Sequence, residues 1–233
     1  MPTKKSKTLQ LDLFTNRGRG GKRTGAGRPR CKDSLQRHDT RPEFKPSQPL
    51  HINVKLIKGL PTLRAKNKFK LIKRAILKAR ERGLRIIHFS IQSNHIHFLI
   101  ESENKRELGR AMQSFCISLA KSLNGFIKRQ GKVFVERYHL HILKTPTQVR
   151  NALRYVFQNF AKHSRTPHRF DAYCSLICFP DKMKLGLARV NTYALFKNKW
   201  RRQDFKEEMN LLLAPAKSWL LNCGWKLVKE PFI

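Results

Sequence analysis

Leu84-Arg85-Ile86-Ile87-His88-Phe89-Ser90-Ile91-Gln92, then Ser93-Asn94, then His95-Ile96-His97-Phe98-Leu99-Ile100 is the stretch that decides the fold. The outer segments are rich in β-branched and aromatic residues, and the Ser-Asn pair between them has turn chemistry. The segment therefore predicts an antiparallel hairpin. Side chains alternate sides along a strand, so His95 and His97 share one face while Ile96 packs on the other. Two imidazoles side by side can converge on one divalent ion. Histidines in strands are more often structural or merely exposed, and His139-Leu140-His141 repeats the pattern. Spacing alone does not make a metal site.

Working outward, hydrophobic periodicity sets the neighbours of the hairpin. Leu50 to Ile57 alternates as a strand, and Phe69, Ile72, Ile76 and Ala79 fall at helical spacing before Gly83. Leu108, Met112, Phe115, Leu119, Leu123 and Phe126 form a long helical stripe ending near Gly131. A further strand is expected through Val133-Phe134-Val135 and beyond, and a last helix from about Thr147, after Pro146, to about His163. The order β-α-β-β-α-β-α predicts an α+β domain: a ferredoxin-like or RRM-like antiparallel sheet with helices on one face plus one added helix.

The chain of 233 residues carries 50 Lys and Arg against 15 Asp and Glu, a formal net charge of +35. Such a field repels itself unless a polyanion or many counterions surround it, which points to phosphate backbones as partners. A membrane is the weaker reading. No apolar run has spanning length, and Met1-Pro2-Thr3-Lys4-Lys5 is not followed by the apolar stretch of a secretory signal. A cytoplasmic, nucleoid-associated setting is expected. The scattered Cys31, Cys116, Cys174, Cys178 and Cys223 show no disulfide framework and no paired zinc motif, and Cys174 to Cys178 reads as packed loop or short helix. A divalent ion beside a polyanion suggests phosphodiester chemistry.

Three regions are expected. Residues 1–48, poor in large apolar residues and rich in Gly, Pro, Lys and Arg, read as a disordered basic arm. Within it, Gly27-Arg28-Pro29-Arg30 resembles an AT-hook, making Arg28 and Arg30 candidate minor-groove contacts, although a solvated tail touching phosphates only is an equal alternative. Residues 49–164 form the folded domain. In residues 165–233, Trp219-Leu220-Leu221 and Trp225 read as an extension packing back onto that domain, with base stacking as the weaker option.

On the last helix, Val149, Leu153, Val156 and Phe160 trace the buried stripe. Tyr155 and Asn159 are four apart, so they stack on one flank, half-sheltered beside that stripe. A carboxamide oxygen can serve as a hard ligand to Mg²⁺ or Mn²⁺, and a nearby phenol could attack a phosphorus held by the ion. Both residues could equally just border the core.

Gln92-Ser93-Asn94-His95-Ile96-His97-Phe98-Leu99-Ile100, Gly131-Lys132-Val133-Phe134-Val135-Glu136-Arg137-Tyr138-His139 and Leu153-Arg154-Tyr155-Val156-Phe157-Gln158-Asn159 together resemble the single-tyrosine HUH transposases of the insertion-sequence type, including the REP-associated tyrosine transposase branch. The resemblance runs from about Leu50 to His163. It implies a ferredoxin-like fold, His95 and His97 as the metal pair, Asn159 as a third polar ligand and Tyr155 as nucleophile. The implied reaction is transesterification through a 5′-phosphotyrosine on single-stranded DNA bearing a hairpin or palindromic repeat, with Mg²⁺ or Mn²⁺ as cofactor. Tyr138 is the competing nucleophile; Tyr155 is favoured because only it has the carboxamide one turn later. Arg137, Tyr138, His139, Arg154 and Lys162 are expected DNA contacts, with His141 beside His139 in the groove. A homodimer is compatible with this reading, as is a domesticated protein that processes repeats without moving itself. The rival outside enzymes is a passive single-strand binder of RRM type, which would normally display aromatics on its central strands.

Overall fold

The hairpin forms as β2 (Arg85–Ile91) and β3 (His95–Glu101), pairing Ile91 with Ile96 and Arg85 with Glu101. The computed structural model describes residues 40–163, 171, 173–178 and 207–228, all within a unit spanning Asp39–Ile233. The basic arm up to residue 39, with Arg28 and Arg30, lies outside the described residues. The other elements are β1 (Leu50–Lys55), α1 (Lys66–Arg80), α2 (Lys105–Phe126), β4 (His139–Ile142) and α3 (Pro146–His163). Four strands in the order β2-β3-β1-β4, every neighbour antiparallel, make the expected α+β sheet.

The two faces of this sheet have different layers. Leu50, Ile52 and Val54 of β1, with Ile96, Phe98 and Ile100 of β3, pack against α1 and α2 through Ile72, Ile76, Met112, Phe115 and Leu119. Burying each such side chain is worth about 1.5–3 kcal/mol, so this layer fixes the register. The opposite face receives α3, where Leu99 and Ile87 meet Val149, Leu153, Val156 and Phe157. A bulge between Ile86 and His88 lets β2 contribute both Ile87 and His88 to that side.

Local signals start the helices where the sequence places them. Asn104 caps α2, its side chain accepting from Glu107 N at 2.9 Å while its amide donates to Glu107 Oε1 at 3.1 Å. Thr145 Oγ1 accepts from Gln148 N at 3.2 Å, and Pro146 sits in the first turn of α3, where its missing N–H costs nothing. Gly83, at φ +87°, turns the chain from α1 into β2.

Two expectations need correcting. The strand through Val133-Phe134-Val135 is broken: Phe134 bridges Leu56 and Val135 N donates to Lys55 O at 3.0 Å, but the regular strand is only His139–Ile142. The break has a physical cause. Tyr138 turns into the core beneath Arg41, whose guanidinium carbon lies 3.4 Å from the ring centroid and whose Nη2 donates to Tyr138 O at 3.1 Å. The same contact moves the start of the folded body back from position 49, since Arg41 and Phe44 already pack against it.

Beyond α3, residues 171 and 173–178 lie along the outer edge of β2. Ile91 N donates to Tyr173 O at 2.9 Å, Phe89 N donates to Ser175 Oγ at 3.0 Å, and Arg64 grips Asp171 at 2.6 and 3.2 Å. Cys174 is buried beside the short 3₁₀ turn Ser175–Cys178, so it packs as expected. At the other end of β3, buried Glu101 accepts from Lys217 N and Ser218 N, each at 2.8 Å, and from Ser218 Oγ at 2.7 Å. That clamp docks the helix Trp219–Asn222, and Leu221 and Trp225 are buried in the α3 layer. Among the described residues no helix is long and apolar enough to cross a membrane.

Candidate metal and nucleophile site

Register collects the polar residues of the sheet on the α3 side. Asn53 pairs with His97 on one side and His139 on the other, His51 with Leu99 and His141, and Lys55 with His95. Directly paired residues project to the same face. With His88, brought round by the bulge, this face carries six of the chain's nine histidines: His51, His88, His95, His97, His139 and His141. His88 is structural, its ring edge-on to Phe157 at 5.0 Å and its Nδ1 3.4 Å from Ser175 Oγ.

His95 and His97 stand together, ring centroids 4.8 Å apart and nearly perpendicular. His95 Nδ1 lies 2.8 Å from Asn94 Oδ1, an atom that can only accept, which in the neutral ring favours the proton on Nδ1 and the lone pair on Nε2. His97 is 3% exposed, and its Nδ1 lies 3.2 Å from His51 Nε2. Burial, with His141 adding repulsion, lowers the His51 pKa to about 4, so this imidazole is neutral near neutral pH.

Tyr155 projects from α3 against the same cluster. Its ring lies edge-on to His97 at 5.0 Å and to His51 at 5.8 Å, and the residue is 38% exposed. Asn159, one turn later, is not half-sheltered with it but fully buried. Four residues advance a helix by about 40° beyond one full turn, and here that increment carries the side chain from the rim of the stripe to its underside. Tyr138 is placed differently. It is 8% exposed in the α1–α2 layer, and burial raises its phenol pKa despite the adjacent Arg41. This position does not suit an accessible nucleophile or a DNA contact.

Among the described residues, no group of three or more His, Cys, Asp or Glu side chains is arranged to hold a metal ion. A divalent ion here would need oxygen ligands besides His95 and His97. Asn53 is paired directly with His97, and Asn159 lies on α3 one turn after Tyr155. Both amide atoms of Asn159 and the Oδ1 of Asn53 are buried without a hydrogen-bond partner. Leaving such a group unsatisfied costs about 1–3 kcal/mol, which a cation or an ordered water would relieve. In such a donor set the oxygens suit Mg²⁺ or Mn²⁺, whereas imidazoles equally take softer ions such as Zn²⁺ or Ni²⁺.

The remaining expected DNA contacts divide. Arg137 and His139 are exposed, with His139 Nε2 2.6 Å from Glu136 Oε1; His141 is also exposed, and Arg154 is half-buried on α3. The Lys162 side chain lies outside the described residues. Sequence reading missed His51 and Asn53. The alternation His51-Ile52-Asn53-Val54-Lys55 was the available signal, since it puts three polar residues on one face of the central strand.

No family model matches the chain, and no curated protein matches it. A solved structure of a REP-associated tyrosine transposase bound to a REP hairpin is similar at a TM-score of 0.49 and 16% identity, over 65% of this chain and 88% of that one.

Proposed function

We propose that the chain is a metal-assisted DNA strand-cleaving and joining enzyme of the single-tyrosine transposase kind, acting on single-stranded DNA that carries a hairpin. The observation that carries this reading is the Tyr155 ring resting edge-on against His97 at 5.0 Å while remaining partly open to solvent. A half-exposed phenol beside paired imidazoles suits nucleophilic attack on a bound phosphate. The buried Tyr138 lacks that access.

In the reaction, the Tyr155 phenolic oxygen attacks a backbone phosphorus and the P–O3′ bond breaks. The phenolic proton ends on the departing 3′-oxygen, leaving a 5′-phosphotyrosine and a free 3′-hydroxyl. One phosphoester replaces another, so rejoining by that hydroxyl needs no external energy source. His95, His97 and Asn159, with Asn53 beside them, would hold the divalent ion, which when bound polarises the phosphate oxygens and offsets charge developing on them. The sheet makes the imidazoles rigid, and α3 sets the line of approach of the phenol. Lys55 opposite His95 and the overall +35 charge favour a phosphate chain over the site. An exposed phosphate on a flexible strand meets the helix edge in line at lower cost than one in a stiff duplex.

The test is a denaturing gel of protein incubated with hairpin-bearing single-stranded oligonucleotides. A covalent adduct is expected that needs Mn²⁺ or Mg²⁺, persists in Tyr138→Phe and is absent in Tyr155→Phe. An adduct lost only in Tyr138→Phe would refute the nucleophile assignment. Tight binding with no adduct under any metal condition would leave the passive binder as the better reading.

A further inference from the structure

Neutral imidazole binds a cation through one nitrogen only if the other carries the proton, and a buried ring needs a defined acceptor for that proton. His95 meets the requirement through Asn94 Oδ1. The corresponding nitrogen of His97, which is 3% exposed, lies 3.2 Å from the Nε2 of His51. His51 is itself fixed. It belongs to a central strand paired on both sides, its ring is tilted by 32° against His97 at 5.3 Å, and its edge meets Tyr155 at 5.8 Å. It therefore touches both the proposed ligand and the proposed nucleophile.

We propose that His51 is a positioning residue: its Nε2 accepts the proton of His97 Nδ1 and so holds His97 in the tautomer whose Nε2 lone pair faces a divalent cation. This rests on the metal-assisted reading of the site. A single bond between two imidazoles can run either way, and the direction decides whether His97 is a ligand. With His51 as donor, the His97 proton would sit on Nε2 and block coordination. With His51 as acceptor, both rings of the pair present Nε2 and bind through equivalent atoms. The same contact orients the His97 ring, which stands perpendicular to the Tyr155 ring with centroids 5.0 Å apart, so it bears on the spacing of ligand and nucleophile. The role needs an acceptor at position 51 and not an imidazole as such, which separates positioning from mere packing.

The test uses the full chain and two substitutions, His51→Leu, which removes the acceptor, and His51→Gln, whose carboxamide oxygen can replace it. Nitrogen NMR of the metal-free protein, with the His97 signals assigned by His97→Ala, is expected to show the Nδ1-protonated tautomer. Mn²⁺ affinity, measured by calorimetry, should fall about 10- to 100-fold in His51→Leu and return to within a few-fold in His51→Gln. Circular dichroism checks that both variants keep the fold. An Nε2-protonated His97 in the wild-type protein, or Mn²⁺ affinity unchanged in His51→Leu, would overturn the proposal. If His97→Ala abolishes Mn²⁺ binding while His51→Leu does not, only the role of His51 fails. If His97→Ala also leaves Mn²⁺ affinity intact, the metal-assisted reading fails and takes this inference with it.

Discussion

Replacing Asn159 by Leu should make the metal-free protein more stable and the proposed enzyme inactive. Asn159 is fully buried on α3, and neither amide atom has a hydrogen-bond partner, while its helix neighbours Val156 and Phe157 pack in an apolar layer. An unsatisfied buried polar group costs about 1–3 kcal/mol, and leucine has nearly the same size with no polar atom to desolvate. Taking about 1–2 kcal/mol as the net gain, and about 2–4 °C per kcal/mol for a body of this length, Tm in chelator should rise by roughly 2–8 °C. Manganese should reverse the order. An ion at 100 times its Kd stabilises the wild-type protein by about 2.7 kcal/mol, and the variant should gain much less. Thermal melts with chelator and across a Mn²⁺ series measure both effects, and the gel assay should show no adduct for the variant. A fall in Tm in chelator together with an undiminished Mn²⁺ shift would refute the reasoning: Asn159 would then have a structural partner and no ligand role.

Other substitutions test the supports of the site. Glu101→Ala leaves Lys217 N and Ser218 N facing a buried gap and should cost about 3 kcal/mol, with hydrogen exchange across 217–225 accelerating before the sheet is affected. Arg41→Ala removes the guanidinium from over Tyr138 and should cost about 1–2 kcal/mol in urea denaturation. Equal stability of that variant would mean the arginine only covers the ring. Tyr155→Phe deletes a hydroxyl at a partly open position and should change stability by less than about 0.5 kcal/mol, so loss of the adduct cannot be ascribed to unfolding. Residues 1–39 carry 11 Lys and Arg against 3 Asp and Glu. Deleting them should flatten the dependence of log affinity on log salt by about 0.7 for each phosphate no longer neutralised on a single strand, leaving the rate on saturating substrate similar; an unchanged slope would show that the arm makes no phosphate contact.

The apolar layer was legible because its signal is periodic and redundant. Ile96, Phe98 and Ile100 could face only one way, and the stripes Phe69-Ile72-Ile76 and Leu108-Met112-Phe115-Leu119 could pack only there. Asn104 and Pro146 are local punctuation, readable without tertiary context. Tyr138 was not legible. Its inward turn depends on Arg41, 97 residues away in sequence, and the strand broken by that turn looks continuous in its β-rich composition. The stretch of residues 171 and 173–178 was hidden for a similar reason, since its place on the β2 edge comes from the contacts of Arg64 and Ser175 and not from alternation of its own.

The candidate site was half legible, and the division follows from geometry. His95 and His97 lie on one strand, so period two alone puts them together. His51 and Asn53 reach them only across a strand pair. A one-residue slip between β1 and β3 would carry both to the opposite face, so their membership depends on register. That register is set by the other face of the sheet, where Leu50, Ile52 and Val54 must be buried with Ile96, Phe98 and Ile100. The apolar layer thus positions the polar one. It holds the carboxamide of Asn53, and α3 holds that of Asn159, in places where, by themselves, they weaken the fold. A chain selected for stability alone would put apolar residues there, as it does at the neighbouring Leu99 and Val156. Keeping unsatisfied amides on this face of the sheet and on α3 makes sense if a ligand completes them. That is why the Asn159→Leu melt is the most discriminating measurement: it reads the cost of the site separately from its chemistry.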